Sequence, residues 1–273
     1  MQNDRQHDFQ NDNRNPRNQA RDHSAPSQEG EGAKLVRVIK SIVINPEIGR
    51  SVDEQVIKFQ YYNSFNYSFL SRDQDSVSMT LGITSPNPGE GKTLVACNLA
   101  VSLAMGSRKK TVLVDLNVYN PCLHRVFGTQ RGPGLAEALR GGNIHVTQTQ
   151  IDNLAVLTAD NFVAVQDGNV ASPPFSAFAS QPVVHPALSL EQLASFRDTI
   201  YSLEQEFEFV IVDMPSLNTQ GFPVLYANQL NGLVVVVNTG ATKKEEINGI
   251  FHQINERQVL GFVFNRFTDG SPS

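Results

Sequence analysis

Gly89, Gly91, Lys92 and Thr93 stand close together in the stretch GITSPNPGEGKTLVACNLA, residues 82–100, with apolar residues on either side. Residues of these types at this spacing can hold phosphate. Glycines let backbone N–H groups close on an anion, and the start of a following helix turns its own unpaired N–H groups the same way. Lys92 adds a point charge, and the Thr93 hydroxyl can serve as a ligand to Mg²⁺. The general phosphate-loop pattern, G-x-x-x-x-G-K-[ST], is met at Gly91, Lys92 and Thr93, but Pro86 occupies the place of its first glycine. Gly89, inside the loop, can supply the close backbone approach instead. The competing reading is a glycine-rich turn with an exposed lysine. Two carboxylates count against it. TVLVD ends in Asp115 and FEFVIVD ends in Asp213, each at the C-terminal end of a strand-like run, the edge where open parallel sheets bind ligands. One such Asp could be a helix cap or an ion-pair partner; two of them with the loop point to an Mg-nucleotide site.

Elements that would position these groups can be read from periodicity. Strand-like runs appear at SVSMTLGIT, TVLVDL, NLAVLT, FEFVIVDM, LVVVVN and LGFVFN. An apolar helix is expected over residues 94–105. A second helix places Leu193, Phe196, Ile200, Leu203 and Phe207 on one face, behind a capping box of Ser189 and Gln192. A third places Ile247, Ile250, Phe251 and Ile254 on one face behind Thr242 and Glu245. Strands apolar on both faces and separated by helices predict an α/β fold, a mostly parallel sheet with helices on both faces.

Residues 1–33 contain no Val, Leu or Ile and are expected to form a disordered polar tail. Residues 34–75 read as an N-terminal extension. In it KLVRVIKSIVINPEIGR is apolar but stops at Asn45 and Pro46, and Ser51 with Glu54 marks a helix start. The nucleotide-binding domain is expected over 76–267, with a long loop at 161–186 and a short tail at 268–273. The net charge of −5 and the lack of any Lys/Arg block give no footprint for nucleic acid. Cys97 and Cys122 lie in no cluster of metal spacing and read as ordinary thiols. No apolar run reaches the roughly 18 residues of a membrane helix, so the expected location is cytoplasmic, at most peripheral at the inner face of the plasma membrane.

With loop and carboxylates in place, residues 44–267 resemble the bacterial tyrosine kinases (BY-kinases) of capsule and exopolysaccharide synthesis, relatives of the MinD and ParA ATPases. The most specific piece is VLVDLNVYNPCLHRVFG, residues 112–128. It resembles the family's second Walker motif and its continuation, here Pro121, Leu123, His124, Phe127 and Gly128. GLAEALRG, NLAVLTA, FEFVIVDMPS and VLGFVFN follow in the family's order. Asn87 stands where MinD and ParA proteins usually carry an early Lys, which favours the kinase branch. The resemblance implies a P-loop NTPase fold in which Gly89, Glu90, Gly91, Lys92 and Thr93 bind the phosphates of ATP or ADP. It implies that Thr93 and Asp213 hold Mg²⁺, with Lys92 and Asp115 catalytic. It further implies that Asn265 touches the adenine and that the partner is a membrane polysaccharide co-polymerase or export protein. His124 reads as a packing residue.

Three departures from the family pattern shape the functional expectation. Asp-x-Asp-x-Arg becomes Asp115, Asn117 and Tyr119, so an acid and a guanidinium are lost. The ring-forming motif Glu-x-x-Arg-x-x-Arg becomes Glu54, Ile57 and Gln60, which removes the ion pairs expected to join subunits into a homo-oligomer. The C-terminus RFTDGSPS carries no Tyr, while Tyr61, Tyr62 and Tyr67 cluster after Ser51 and read as packing residues. A nucleotide binder with weakened or lost autokinase activity is the first expectation. An active Mg-ATP-dependent autokinase or ATPase is the second, and a MinD/ParA-like positioning ATPase the third.

Overall fold

The computed structural model describes residues 36–40, 78–160, 188–219, 222 and 224–266. The expected tail, the helix after Ser51 with Glu54, Ile57 and Gln60, the cluster Tyr61, Tyr62 and Tyr67, and the loop 161–186 lie outside them. Among the described residues, eight strands form one sheet in the order β1-β4-β5-β3-β6-β2-β7-β8. They are β1 (Val36–Lys40), β2 (Met79–Thr84), β3 (Thr111–Asp115), β4 (Ile144–Gln148), β5 (Leu154–Leu157), β6 (Phe209–Asp213), β7 (Gly232–Asn238) and β8 (Val259–Asn265). Every pairing is parallel except β4 with β5, which is antiparallel. The mostly parallel α/β sheet read from the sequence is therefore the observed fold.

Alternation along the central strands explains the layering, because successive side chains leave opposite faces. Val112 and Val114 of β3, with Val210 and Val212 of β6, join one core. Leu113, Phe209 and Ile211 join the other. The first core is covered by α3 (Leu135–Leu139), α4 (Leu193–Glu206) and α5 (Lys244–Ile250). The second is covered by α1 (Lys92–Ser102) and by Leu123 of α2 (Leu123–Val126). Helix α1 opens at Lys92, before the expected Leu94, and closes in a π-helical turn over Leu103–Ser107.

Helix α4 carries the expected face: Phe196, Ile200 and Leu203 are buried and Leu193 packs beside them. Its Ser189–Gln192 capping box is present, ahead of a short 3₁₀ turn. Phe196 stacks at a tilt on Tyr226, ring centroids 5.0 Å apart, and the Tyr226 hydroxyl donates to the Ser189 carbonyl at 2.8 Å. Phe196→Ala empties the centre of this cluster and is expected to lower the unfolding free energy by about 3–5 kcal/mol, measured by urea titration.

The cap of α5 differs from its sequence reading. Glu246 accepts from the Lys243 N–H at 2.8 Å, one residue later than the expected Thr242–Glu245 pair. Thr242 is occupied elsewhere, as described below.

Candidate functional site

Parallel strands bring their C-terminal ends to one edge, and the predicted site residues collect there. Asp115 ends β3, Asp213 ends β6, and the two are register partners across adjacent strands. On the far side of β6, β2 runs into the loop, with Ile83 paired to Asp213. Gly89 and Gly91 have φ of 78° and 95°, a left-handed backbone that L side chains rarely adopt. A Cβ built on Gly91 would collide with the Asn265 amide, whereas one on Gly89 would meet nothing within 4 Å. Lys92 and Thr93 then open α1.

Thr93 Oγ1 donates to Asp213 Oδ2 at 2.6 Å. Asp115 Oδ2 accepts from the N–H groups of Cys122 and Leu123, both at 3.1 Å. Among the described residues, the remaining oxygens, Asp115 Oδ1 and Asp213 Oδ1, are buried with no hydrogen-bond partner. An unpaired buried carboxylate oxygen is costly, and its cost appears in the titration. Burial and the neighbouring Asp115 push Asp213 up to about 7, against the Thr93 hydrogen bond and the Lys92 charge. Burial pushes Asp115 up to about 6, against the N–H groups of Leu123 and Cys122. Lys92 is itself buried, which lowers its ammonium below the ordinary lysine range, with Asp213 and Glu90 acting to raise it. Two acids short of partners beside a hydroxyl and a buried ammonium form a hard-oxygen donor set suited to a divalent cation.

Glu90 is buried, and its side chain faces the protein scaffold. Its carboxylate accepts from the Asn87 N–H at 3.3 Å and from Thr242 Oγ1 at 2.6 Å. Thr242 Oγ1 in turn accepts from the Asn238 N–H at 3.0 Å. Asn265 Nδ2 donates to the Glu90 carbonyl at 2.8 Å, and Arg266 donates to the Gly89 carbonyl at 3.0 Å. From the other side, Leu217 and Asn218 donate their N–H groups to the carbonyls of Ser85 and Pro86, at 2.9 and 3.3 Å. The loop is thus tied to the ends of β6, β7 and β8. Sequence reasoning missed Thr242 and Arg266 as loop supports. The T-x-x-E spacing pointed to a helix cap, and nothing local marks a contact across this span of chain.

After β3 the backbone turns sharply, with the Asn120 N–H donating to the Asn117 carbonyl at 3.0 Å. Asn117 is half-buried. The half-buried Tyr119 ring packs against the first core, and its hydroxyl is buried without a partner among the described residues. His124 lies in α2, its titration lowered first by burial and then by Arg131 and Arg125.

A parallel sheet with a strand–loop–helix phosphate cradle opposite two strand-end acids defines a P-loop nucleotide-binding protein. The chain belongs to the family of the CobQ/CobB/MinD/ParA nucleotide binding domain, whose model matches residues 81–272. It is similar to the tyrosine-protein kinase CpsD of Streptococcus pneumoniae serotype 4, with 28% identity over 211 residues, 76% of this chain and 83% of that protein. Its fold is similar to the kinase domain of the Escherichia coli tyrosine kinase ETK, with a TM-score of 0.63 and 17% identity over 91% of this chain and 98% of that one. It is also similar in fold to the septum site-determining protein MinD complexed with Mg-ADP from Pyrococcus horikoshii, with a TM-score of 0.50 and 18% identity over 70% and 71% of the two chains. The resemblance read from residues 112–128 is borne out. Among the described residues no helix is long and apolar enough to cross a membrane.

Proposed function

We propose that this chain binds Mg-ATP or Mg-ADP at the loop and is a tyrosine-kinase relative with weakened phosphotransfer. In this reading it works as the nucleotide-dependent partner of a membrane chain-length or export protein of polysaccharide synthesis, on the cytoplasmic side. The loop amides, Lys92 and the α1 N-terminus hold the phosphates, while Thr93 and Asp213 hold Mg²⁺, which supplies charge neutralisation when bound. The unpartnered oxygens of Asp213 and Asp115 support the fit. Asp115 stands next to the metal ligands as the acid nearest an attacking group.

One observation carries the weakened activity: the Tyr119 ring packs against the core, and the Asn117 amide can act as neither acid nor base. Phosphoryl transfer depends on charge placement, and a missing acid–base group costs on the order of 10²–10⁴ in rate. Binding leans on the loop, where Gly89, Gly91, Lys92 and Thr93 are present. The capsule and export context rests on the resemblance to the bacterial tyrosine kinases.

The test measures ATP affinity and ATP turnover on three proteins. Wild type is expected to bind ATP with Mg²⁺ and turn it over slowly. Asn117→Asp should raise turnover about a hundredfold or more at similar affinity, and Lys92→Ala should lose binding. Rapid turnover in wild type that Asn117→Asp does not raise would instead favour an active autokinase or ATPase, the reading for which the intact pair Asp115 and Asp213 speaks. A wild type that binds neither ATP nor ADP ends both.

A further inference from the structure

The phosphate site as described contains one cation, Lys92, facing two acids and a ligand that brings several negative charges. A second cation stands at the same sheet edge. Arg131 lies on the connection between α2 and α3, and that connection is fastened to the end of β5. Thr158, the residue after β5, donates its hydroxyl to the Arg131 carbonyl at 2.7 Å. The Thr158 and Ala159 carbonyls accept from the N–H groups of Leu135 and Ala136, at 2.8 and 3.2 Å. Two glycines make the close approach possible: a Cβ on Gly134 would collide with the Thr158 carbonyl, and one on Gly132 with the Asp160 carboxylate.

The register locates this clamp. Leu157 of β5 pairs with Val114 of β3, the residue before Asp115. The backbone of Arg131 is therefore anchored at the tip of the strand next to Asp115, and neighbouring strands are about 4.8 Å apart. Asp213 lies on the opposite side of Asp115. The Arg131 side chain is exposed and makes no ion pair among the described residues. Its charge is felt at Asp115, where it acts against the upward push of burial, and at His124, where it adds to the downward push of burial. Arg266, by contrast, is engaged with the Gly89 carbonyl on the outside of the loop.

We propose that Arg131 is the second cation of the phosphate site, a positioning residue whose guanidinium, carried on the clamped 131–136 segment, grips the terminal phosphate of a bound nucleoside triphosphate. The inference rests on the nucleotide-binding reading above and adds a specificity to it. A guanidinium presents paired donors that match phosphate oxygens, which a lysine ammonium cannot do. Arg131 would therefore distinguish ATP from ADP, since only ATP carries the third phosphate.

The experiment titrates ATP and ADP, each with Mg²⁺, into wild type, Arg131→Ala and Arg131→Lys, following heat of binding and melting temperature. Arg131→Ala is expected to weaken ATP about tenfold to a hundredfold while ADP changes less than about threefold. Arg131→Lys should recover part of the ATP loss, because it restores charge but not the paired donors. A merely structural role would lower affinity for both nucleotides together and lower the melting temperature. Unchanged ATP affinity in Arg131→Ala, or an equal loss for ATP and ADP, overturns the assignment of Arg131 and leaves nucleotide binding standing. Wild type that binds neither nucleotide removes the parent reading, and this one with it.

Discussion

Gly91→Ala is expected to weaken nucleotide binding by about a hundredfold or more, and Gly89→Ala by only about tenfold. Both glycines have positive φ, at 95° and 78°, so an added methyl group costs about 1–2 kcal/mol of backbone strain at either position. The difference comes from what each methyl group would meet. At Gly89 it points into open space; at Gly91 it enters the volume of the Asn265 amide. Asn265 cannot turn aside cheaply. Its Nδ2 donates to the Glu90 carbonyl at 2.8 Å and its Oδ1 accepts from the Arg266 N–H at 2.9 Å. Moving it breaks bonds worth about 0.5–1.5 kcal/mol each and frees the loop backbone from the end of β8. Fluorescence titration with a labelled nucleotide measures the losses, and circular dichroism confirms that both variants stay folded. Adding Asn265→Ala to Gly91→Ala removes the collision and should recover part of the binding, a coupling that a double-mutant cycle isolates. Equal losses in the two single variants would show that the β8 tether does not shape the loop.

This loop also shows where sequence reading reached and where it stopped. Gly89, Gly91, Lys92 and Thr93 were legible because phosphate binding by backbone N–H groups demands those residue types at short spacing. Strands β3, β6 and β7 were legible because burial on both faces writes them as near-continuous apolar runs, such as Val234 to Val237. Strand β4 escaped notice: IHVTQ is short and its polar His145 and Gln148 dilute the pattern. Strand β1 has the same problem in VRVIK, where Arg37 and Lys40 interrupt.

Sequence placed Asp115 and Asp213 each at a strand end, but only the strand order makes them direct neighbours. Which strands become neighbours in a parallel sheet is set by long crossover connections, and no single strand's pattern encodes it. The same holds for Thr242 on Glu90, Arg266 on Gly89 and the Arg131 backbone on Thr158. Asn265, expected beside a nucleotide base, bonds the Glu90 carbonyl of the loop. That contact explains why an amide belongs at the end of β8.

Asp213→Asn is expected to do two opposite things: remove the Mg²⁺ dependence of nucleotide binding and make the metal-free protein more stable at pH 8. The second effect follows from the geometry of the site. Asp213 is fully buried, its Oδ1 has no partner among the described residues, and Asp115 is its register neighbour. Burial and that like charge raise its folded-state pKa to about 7, against about 4 in an unfolded chain. The sign is the reverse of an ion-paired acid. As pH rises from about 4 to about 7, the unfolded chain gives up this proton while the folded chain keeps it, so stability falls across that window. Above it the full cost remains, up to about 4 kcal/mol. An amide of the same shape can still accept the Thr93 hydrogen bond and carries no charge to bury. Urea unfolding of metal-free protein should therefore favour Asp213→Asn by up to that amount at pH 8, with the advantage shrinking below about 1 kcal/mol near pH 4. Adding Mg²⁺ and nucleotide should stabilise wild type and reverse the ranking, because ligand that binds only the folded state shifts its stability by mass action. A variant no more stable than wild type at pH 8 would mean that Asp213 is already satisfied without a cation. A stability gained by losing the acid would mark Asp213 as a group kept for its ligand at the expense of the fold, the trade-off expected of a binding site.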